Sequence, residues 1–150
     1  IEKQKVRFMY SISEKQFSNY IKEAVETKGA TASDVLFENL EHRLDNVVYR
    51  LGLASTRRLS RQIVSHGHIV INGKKTTVPS LRVKMGDVIA VREGSKKSVL
   101  FTDMANKLKD YTCPNWLTFN IDTLTGKVQG KPKNTEGFID LNTVLEFYSR

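Results

Sequence analysis

Cysteine is almost missing from this sequence of 150 residues, in which Cys113 stands alone. A single cysteine cannot form a disulfide within the chain, and no C-x-x-C pair or His-x-x-x-His spacing indicates a zinc site. His66 and His68 are only a pair, and two ligands do not close a tetrahedral site. We therefore expect no metal and no cofactor, and we interpret Cys113 as an ordinary buried thiol.

Long hydrophobic runs are also lacking. No apolar stretch approaches the ~18 residues that a membrane span needs, and no signal-peptide pattern is present, so we expect a soluble cytoplasmic protein without a membrane partner. Acidic residues are scarce relative to basic ones, with 24 Lys and Arg against 16 Asp and Glu and a net charge of +8. This balance predicts a polyanionic partner, with nucleic acid ahead of a membrane surface.

A starting methionine is lacking too, because the sequence begins with Ile1. We take this to mean that a leading segment of the native protein is removed, disordered or not included in the sequence. The hydrophobic fraction of 39% is enough to bury the core of one domain or of two small ones.

The stretch from Arg43 to Lys74 predicts a helix, a turn, a second helix and a hairpin. The first helix is expected to begin at Thr31 or Ser33 and to end before Gly52, because apolar residues recur at helical spacing. These residues are Leu36, Leu40, Leu44, Val47, Val48 and Leu51. The second helix is expected to begin at Ser55 or Thr56 and to end at Gly67.

Three arginines lie on one side of the second predicted helix. At about 100° per residue, Arg57, Arg58 and Arg61 fall inside one ~100° arc, which we call the arginine arc. Gln62 and Ser65 lie beside the arc, and Leu59 and Ile63 lie opposite. Such a helix is held to a core by its apolar side while its guanidinium groups face outward, where they can bind phosphates in pairs of hydrogen bonds. The simpler alternative is a solvated arginine face.

The residues that follow favour RNA binding. His66 and His68 lead into the apolar run 69–71, and Asn72-Gly73 is a strong signal for a two-residue hairpin turn. Lys74 and Lys75 then stand at the tip of the hairpin. A basic helix followed by a hairpin with a basic tip forms a platform that can straddle a phosphate ridge.

The flanking segments predict further helices and strands. Residues 2–10 predict a short basic helix, and Ser13 with Gln16 forms a capping box before a second helix. Its apolar stripe is Phe17, Tyr20, Ile21, Ala24 and Val25. Strands are predicted at 88–91, 116–121 and 127–129, and another helix at 100–108. Asp140 is expected to cap a last helix with the stripe Leu141, Val144, Leu145 and Tyr148.

The sequence blocks RLDNVVYRLG, TRR, SRQ and HGHIVINGK resemble the RNA-binding module named after ribosomal small-subunit protein S-four. The opening EKQKVRFMY and the ending EFYSR are similar to the bacterial S-four family itself, so the resemblance covers nearly the whole chain. It implies an α+β fold, in which an all-helical domain formed by both chain ends (1–41 and 134–150) carries an inserted module (42–133). In this module, helices pack on a small, mostly antiparallel sheet.

The resemblance also implies a function. Family members are structural constituents of the small ribosomal subunit that bind the five-prime domain of its RNA early in assembly, and they are not enzymes. They neighbour the proteins numbered three and five, near the side where messenger RNA enters, and some repress their own messenger. A homo-oligomer is not expected. By matching positions, the RNA contacts are Lys3, Lys5, Arg7, Arg43, Arg50, Arg57, Arg58, Arg61, Gln62, His66, His68, Lys74 and Lys84.

The sequence departs from the family in three places. The usual basic N-terminal extension, which is zinc-binding in some members, does not appear, so contacts made by that part are not expected of this chain. Leu81 replaces a common aromatic residue, and the region of Gly94 lacks the usual lysine. We interpret the last two differences as tolerated surface changes.

Two other functions remain open. Residues 42–45 spell the H-R-L-D signature of a pseudouridine synthase family that often carries the same module and uses the aspartate as nucleophile. Asp45, however, is predicted to lie within an amphipathic helix, and the chain is too short for a separate catalytic domain. The second alternative is a free-standing RNA-binding regulator, but such proteins usually lack the helical domain.

Overall fold

The structure, a computed structural model, describes residues 2–27, 29, 31–133 and 141–148, with the side chains of residues 2, 3, 142, 147 and 148 left out. The chain divides into two compact units. One unit contains Ile1–Glu41 and Pro132–Arg150, and the other contains His42–Lys131. We call them the helical unit and the module. In the described part of the chain, no helix combines the length and the apolarity needed to cross a bilayer.

The helical unit contains α1 (Glu2–Tyr10), α2 (Glu14–Glu26), α3 (Ala32–Glu41) and α7 (Leu141–Tyr148). The predicted capping box before α2 is confirmed, since Ser13 Oγ accepts a hydrogen bond from the Gln16 N–H at 3.2 Å. The apolar stripes of the helices share one core, which contains Val6, Tyr10, Ile12, Phe17, Tyr20, Ile21, Ala24, Leu36, Phe37, Leu40, Leu141 and Val144.

One member of the predicted α2 stripe lies outside this core. Val25 is 57% exposed, so its predicted burial is wrong. It lies at the edge of the stripe, about 80° around the helix from Phe17, and one residue before the helix ends at Glu26. Predicted features at Asp140 and at the side chain of Tyr148 fall outside the described residues.

The single long helix that we predicted from residue 31 or 33 to Leu51 is wrong, because it consists of α3 and α4 (Leu44–Arg50). Between them Arg43 is extended, with φ −61° and ψ 137°, and its backbone forms an isolated antiparallel bridge with Arg82. The carbonyl of His42 accepts from Val83 N–H at 2.8 Å. Backbone hydrogen bonds with the segment 79–83 therefore take the place of the hydrogen bonds that a continuous helix would form here. Apolar residues keep the helical spacing on both sides of the break. Those before it are buried in the core of the helical unit, and those after it are buried in the core of the module.

The module contains α4, α5 (Arg57–Ser65), the short helix α6 (Met104–Lys107) and one sheet. The strands are β1 (Ile69–Ile71), β2 (Lys74–Thr76), β3 (Val88–Val91), β4 (Leu117–Asn120) and β5 (Thr125–Val128), in the order β2-β1-β3-β5-β4 with every neighbouring pair antiparallel. Residues of α4, α5 and the sheet share the second core. The predicted α+β class, with helices and a small antiparallel sheet, is confirmed.

The hairpin between β1 and β2 also agrees with the prediction. Asn72 and Gly73 have φ of 51° and 84°, and two successive left-handed residues are typical of the tight turn that matches the twist of the strands. Ile71 pairs directly with Lys74 across this turn.

The predicted helix over 100–108 is wrong. Val99–Phe101 forms a single turn of 3₁₀ helix, and Asp103 is left-handed with φ 60°, so that only Met104–Lys107 is α-helical. Phe101 and Met104 are nevertheless buried. The spacing of three residues between them therefore predicted their burial correctly, but it did not predict that the helix is interrupted.

The independent folding of the two units stays a prediction, which a variant of α7 tests. Leu141 is 3% exposed in the core of the helical unit, so Leu141→Ala should lower the free energy of unfolding of that unit by about 2–5 kcal/mol. The measurement is hydrogen exchange, which should show loss of protection in α2 while β1 and β3 keep theirs. Lys22→Ala, at an exposed position of α2, is the control. Equal loss of protection in the strands would contradict the proposed division.

Candidate nucleic-acid interface

Helix α5 is fixed by its two ends and its buried side. Thr56 caps it by accepting a hydrogen bond from the Leu59 N–H at 3.0 Å, and Gly67 follows it with φ 79°. Ser60, Ile63 and Val64 are buried. The predicted start, end and apolar side of this helix are confirmed.

The arginine arc lies on the opposite side of α5. Arg58, Arg61 and Gln62 are exposed, while Arg57 is partly buried. Arg58 and Arg61 therefore present their guanidinium groups outward, and each can donate two parallel hydrogen bonds to one phosphate.

Arg57 is held in place by α4. Its Nε donates to Asn46 Oδ1 at 3.0 Å, and its Cζ lies 4.5 Å from the centre of the Tyr49 ring. Asn46 is 1% exposed. Asn46 is absent from the predicted contact residues, because its helical position is opposite the apolar side of α4 and periodicity predicts exposure there.

The Asn46–Arg57 bond predicts a coupling in RNA affinity. Hydrogen bonds to charged groups contribute about 1.5–3 kcal/mol, so Asn46→Ala should weaken RNA binding by roughly tenfold or more if it releases an oriented Arg57. The same change should have little effect when Arg57 is already alanine. Filter-binding titrations of the four proteins measure this, after urea denaturation shows each folded at the assay temperature. An equal loss in both backgrounds would contradict the positioning role.

A second group of basic side chains surrounds Gly67. His68 Nδ1 lies 2.8 Å from Ser95 Oγ, and Arg92 Nε donates to the carbonyl of Gly67 at 3.1 Å. A Cβ on Gly67 would fall 2.5 Å from Lys75 Cε, so the Lys75 chain crosses directly over this glycine. Burial lowers the pKa of His68, and the nearby positive charges of Arg92, His66 and Lys75 lower it further.

Arg92 and Lys75 are absent from the predicted contact residues, whereas His66 and His68 are among them. The sequence does indicate Lys75, because it stands at the tip of the predicted hairpin. Arg92, in contrast, comes close to Gly67 only because β3 pairs with β1. Spacing along the sequence therefore could not have placed it there.

The hairpin tip carries Lys74, and a neighbouring turn carries Lys84, both exposed. Asp87 joins the two turns, since Asn72 Nδ2 donates to Asp87 Oδ1 at 3.0 Å and the Lys84 N–H donates to Asp87 Oδ2 at 2.7 Å. The backbone of Lys84 is therefore fixed against the hairpin turn.

Arg43 does not fit the predicted role of an RNA contact. Its side chain is 1% exposed, and its Nε and Nη2 donate to the two carboxylate oxygens of Asp45 at 3.1 and 3.0 Å. The carbonyl of Asp45 in turn accepts a hydrogen bond from Ser60 Oγ on α5. Arg43 thus supports α4 and α5 from inside, so its predicted role as an RNA contact is wrong. Asp45 has a side chain only 3% exposed, which is unlike a nucleophile that must meet a substrate.

The remaining predicted RNA contacts are Arg50, Lys5, Arg7 and Lys3. Arg50 is partly buried, with Cζ 5.8 Å from the Tyr49 ring centre. In the helical unit, Lys5 is exposed and Arg7 lies 3.6 Å from a carboxylate oxygen of Glu14. The side chain of Lys3 is outside the described part.

Positive charge is concentrated in the module. His42–Lys131 contains sixteen Lys and Arg against six Asp and Glu, a net charge of +10, and the rest of the chain has eight against ten, a net charge of −2. Within the described residues, no group of three or more His, Cys, Asp or Glu side chains could hold a metal ion. The net positive charge of the module favours a polyanionic partner.

Comparisons with known proteins agree with this geometry. Residues 42–89 match the family model described as S4 domain, and residues 1–42 match the one described as ribosomal protein S4/S9 N-terminal domain. The chain is 46% identical over 151 residues to the small ribosomal subunit protein uS4 of Persephonella marina, covering 99% of this chain and 73% of that protein. It is 42% identical over 155 residues to uS4 of Aquifex aeolicus, covering 100% of this chain and 73% of that protein. With domain matches over both its helical start and its module, and such identity along its whole length, the chain belongs to the small ribosomal subunit protein uS4 family.

Proposed function

We propose that this chain is a structural constituent of the small ribosomal subunit, that it binds small-subunit ribosomal RNA directly, and that it helps to nucleate assembly of the five-prime domain. The observation that carries the proposal is the exposed surface of α5 and the β1–β2 hairpin, on a module with net charge +10. Family membership supports the same role, and it supports a structural function without catalysis.

Phosphate contacts dominate the proposed binding. Arg58 and Arg61 on α5, with Lys74 and Lys84 at the two joined turns, offer cations along one connected set of elements. Because an A-form helix exposes little of its sequence to side chains, a protein of this kind reads the shape of a folded junction. The module should therefore prefer a junction to a simple duplex.

The proposed partners follow from the family. They are the ribosomal RNA, the neighbouring proteins numbered three and five, and messenger RNA near the side where it enters, on ribosomes in the cytoplasm. The alternative of a free-standing regulator is less well supported, since residues 1–42 match the N-terminal domain of ribosomal S4/S9 proteins as well.

Two measurements test the proposed function. A structural constituent should cosediment with purified small subunits at close to one copy per subunit, and it should remain there after a high-salt wash. In solution, the protein should bind a transcript of the five-prime domain more tightly than a duplex of equal length at moderate salt. Loss of the protein in the wash, with equal affinity for both RNAs, would instead indicate a generic basic factor.

A further inference from the structure

A groove of about 520 Å³ lies in the module beside the arginine arc. It is bordered by the end of α4, the segment 52–55, Leu59 of α5, and the segment 100–111. Of the predicted RNA contacts, Arg50 belongs to its lining, whereas Arg58, Arg61, Lys74 and Lys84 do not. Its volume lies in the range typical of ligand-sized clefts.

The walls of the groove combine aromatic, apolar and cationic groups. Tyr49 and Tyr111 contribute rings, and Leu59, Leu100 and Leu108 are among the apolar lining residues. Tyr111 is 45% exposed, and its hydroxyl donates to the carbonyl of Arg50 at 2.5 Å, so its ring is tied to the end of α4. Arg50 and Lys107 supply positive charge to the lining.

Gly52 closes one wall. It has φ 92°, and a Cβ there would fall 2.7 Å from Leu108 Cδ2 and 3.1 Å from Tyr111 Cδ2. The absence of a side chain therefore lets the Tyr111 segment pack directly on the residue that ends the α4 turn. This close approach, together with the Tyr111 hydroxyl bond, gives the groove a fixed wall.

We propose that this groove takes one unstacked base of the ribosomal RNA, an inference that rests on the proposed function. Single-stranded loops and bulges are recognised by splaying bases out onto aromatic side chains and cations, which matches the lining. The groove lies next to the arginine arc, because Leu59 lies between Arg58 and the buried side of α5. In addition, the Cζ of Arg57 lies 4.5 Å from the centre of the Tyr49 ring. A base entering here carries its own phosphate past Arg50 and Lys107.

Filling the groove tests the proposal. Ser55 lines the groove and is exposed, so the indole ring of Ser55→Trp should fill the groove without disturbing the core. Binding to a transcript of the five-prime domain should weaken by roughly 5- to 150-fold, the range measured when one stacked base loses its aromatic partner. The part of the salt dependence that comes from the arginine arc should stay, because Arg58 and Arg61 keep their phosphate contacts. Thr118→Trp, at an exposed position of β4, is the matched control and should bind like the unaltered protein.

A second measurement uses the unaltered protein and does not depend on folding of a variant. Ultraviolet irradiation of its complex with the transcript should attach a nucleotide to Tyr49 or Tyr111, which mass spectrometry of the peptides detects. Unchanged affinity of Ser55→Trp, or no adduct at either tyrosine, would overturn the groove proposal. If the transcript still binds and arginine-arc variants still weaken it, the proposed function stands and only the groove proposal fails. If the unaltered protein does not bind the transcript, both fail.

Discussion

Replacing Arg58 and Arg61 together by alanine is expected to weaken binding to the five-prime domain transcript by about 10²- to 10⁴-fold. Both side chains are exposed on a helix whose opposite side is buried, so each can reach a phosphate from the surface. Charge-assisted hydrogen bonds contribute about 1.5–3 kcal/mol each, and two of them give this range. The slope of log affinity against log salt should also fall by about 1.4–1.8, because two phosphate contacts are lost.

The control must remove the same charge at another place. Lys127→Ala with Lys131→Ala lowers the net charge by the same amount at two exposed positions that lie neither on α5 nor in the lining of the groove. Long-range attraction alone would make the two double variants equally weak. Filter binding at several salt concentrations separates these cases, and a folded arginine variant that keeps the original slope would rule out the arginine arc as the centre of binding.

Asp45→Ala is expected to have the largest effect on stability. It leaves the buried guanidinium of Arg43 without the carboxylate that accepts two of its hydrogen bonds. Breaking a buried ion pair by removing one partner costs about 3–5 kcal/mol. Urea denaturation of the module should therefore show the midpoint moving to much lower urea, with the slope of the transition unchanged.

Removing both charges is the informative comparison. Arg43→Met with Asp45→Leu fills similar volume with apolar groups, and such replacements of buried pairs are often neutral. The double variant should therefore be considerably more stable than Asp45→Ala, although the Asp45 Oδ1 also accepts a bond from the Asn46 N–H at 2.7 Å. Equal instability of the two variants would show that the shape of these side chains matters more than their pairing.

Signals within a few residues of each other predicted the local structure well. The Ser13–Gln16 capping box, the start of α5 at Thr56, and the Asn72-Gly73 turn each depend on one hydrogen bond or on one pair of backbone angles. Such features are decided by the residues that carry them. The arginine arc was predictable for the same reason, since a helix of known start and period fixes which side each residue takes.

Features decided by distant residues were not predictable. The break at Arg43 arises because segment 79–83 forms hydrogen bonds with the backbone there. The helical spacing of the leucines contains no information about this distant segment. The same break and the neighbouring Asp45 explain why Arg43 is buried rather than available to RNA. Likewise, Asn46 is covered by α5, so a position that periodicity predicts to be exposed becomes the support of Arg57.

The discontinuous helical unit has a consequence for synthesis. Its core joins Phe17 and Leu36 to Leu141 and Val144, whereas the module is one continuous segment, His42–Lys131. A chain is made from its N-terminus, and domains generally fold as units while this proceeds. All five strands of the module have therefore been made before α7 exists. We therefore expect the module to fold and to present the proposed RNA-binding surface before α7 has been synthesised, while α1, α2 and α3 still lack their contacts with α7.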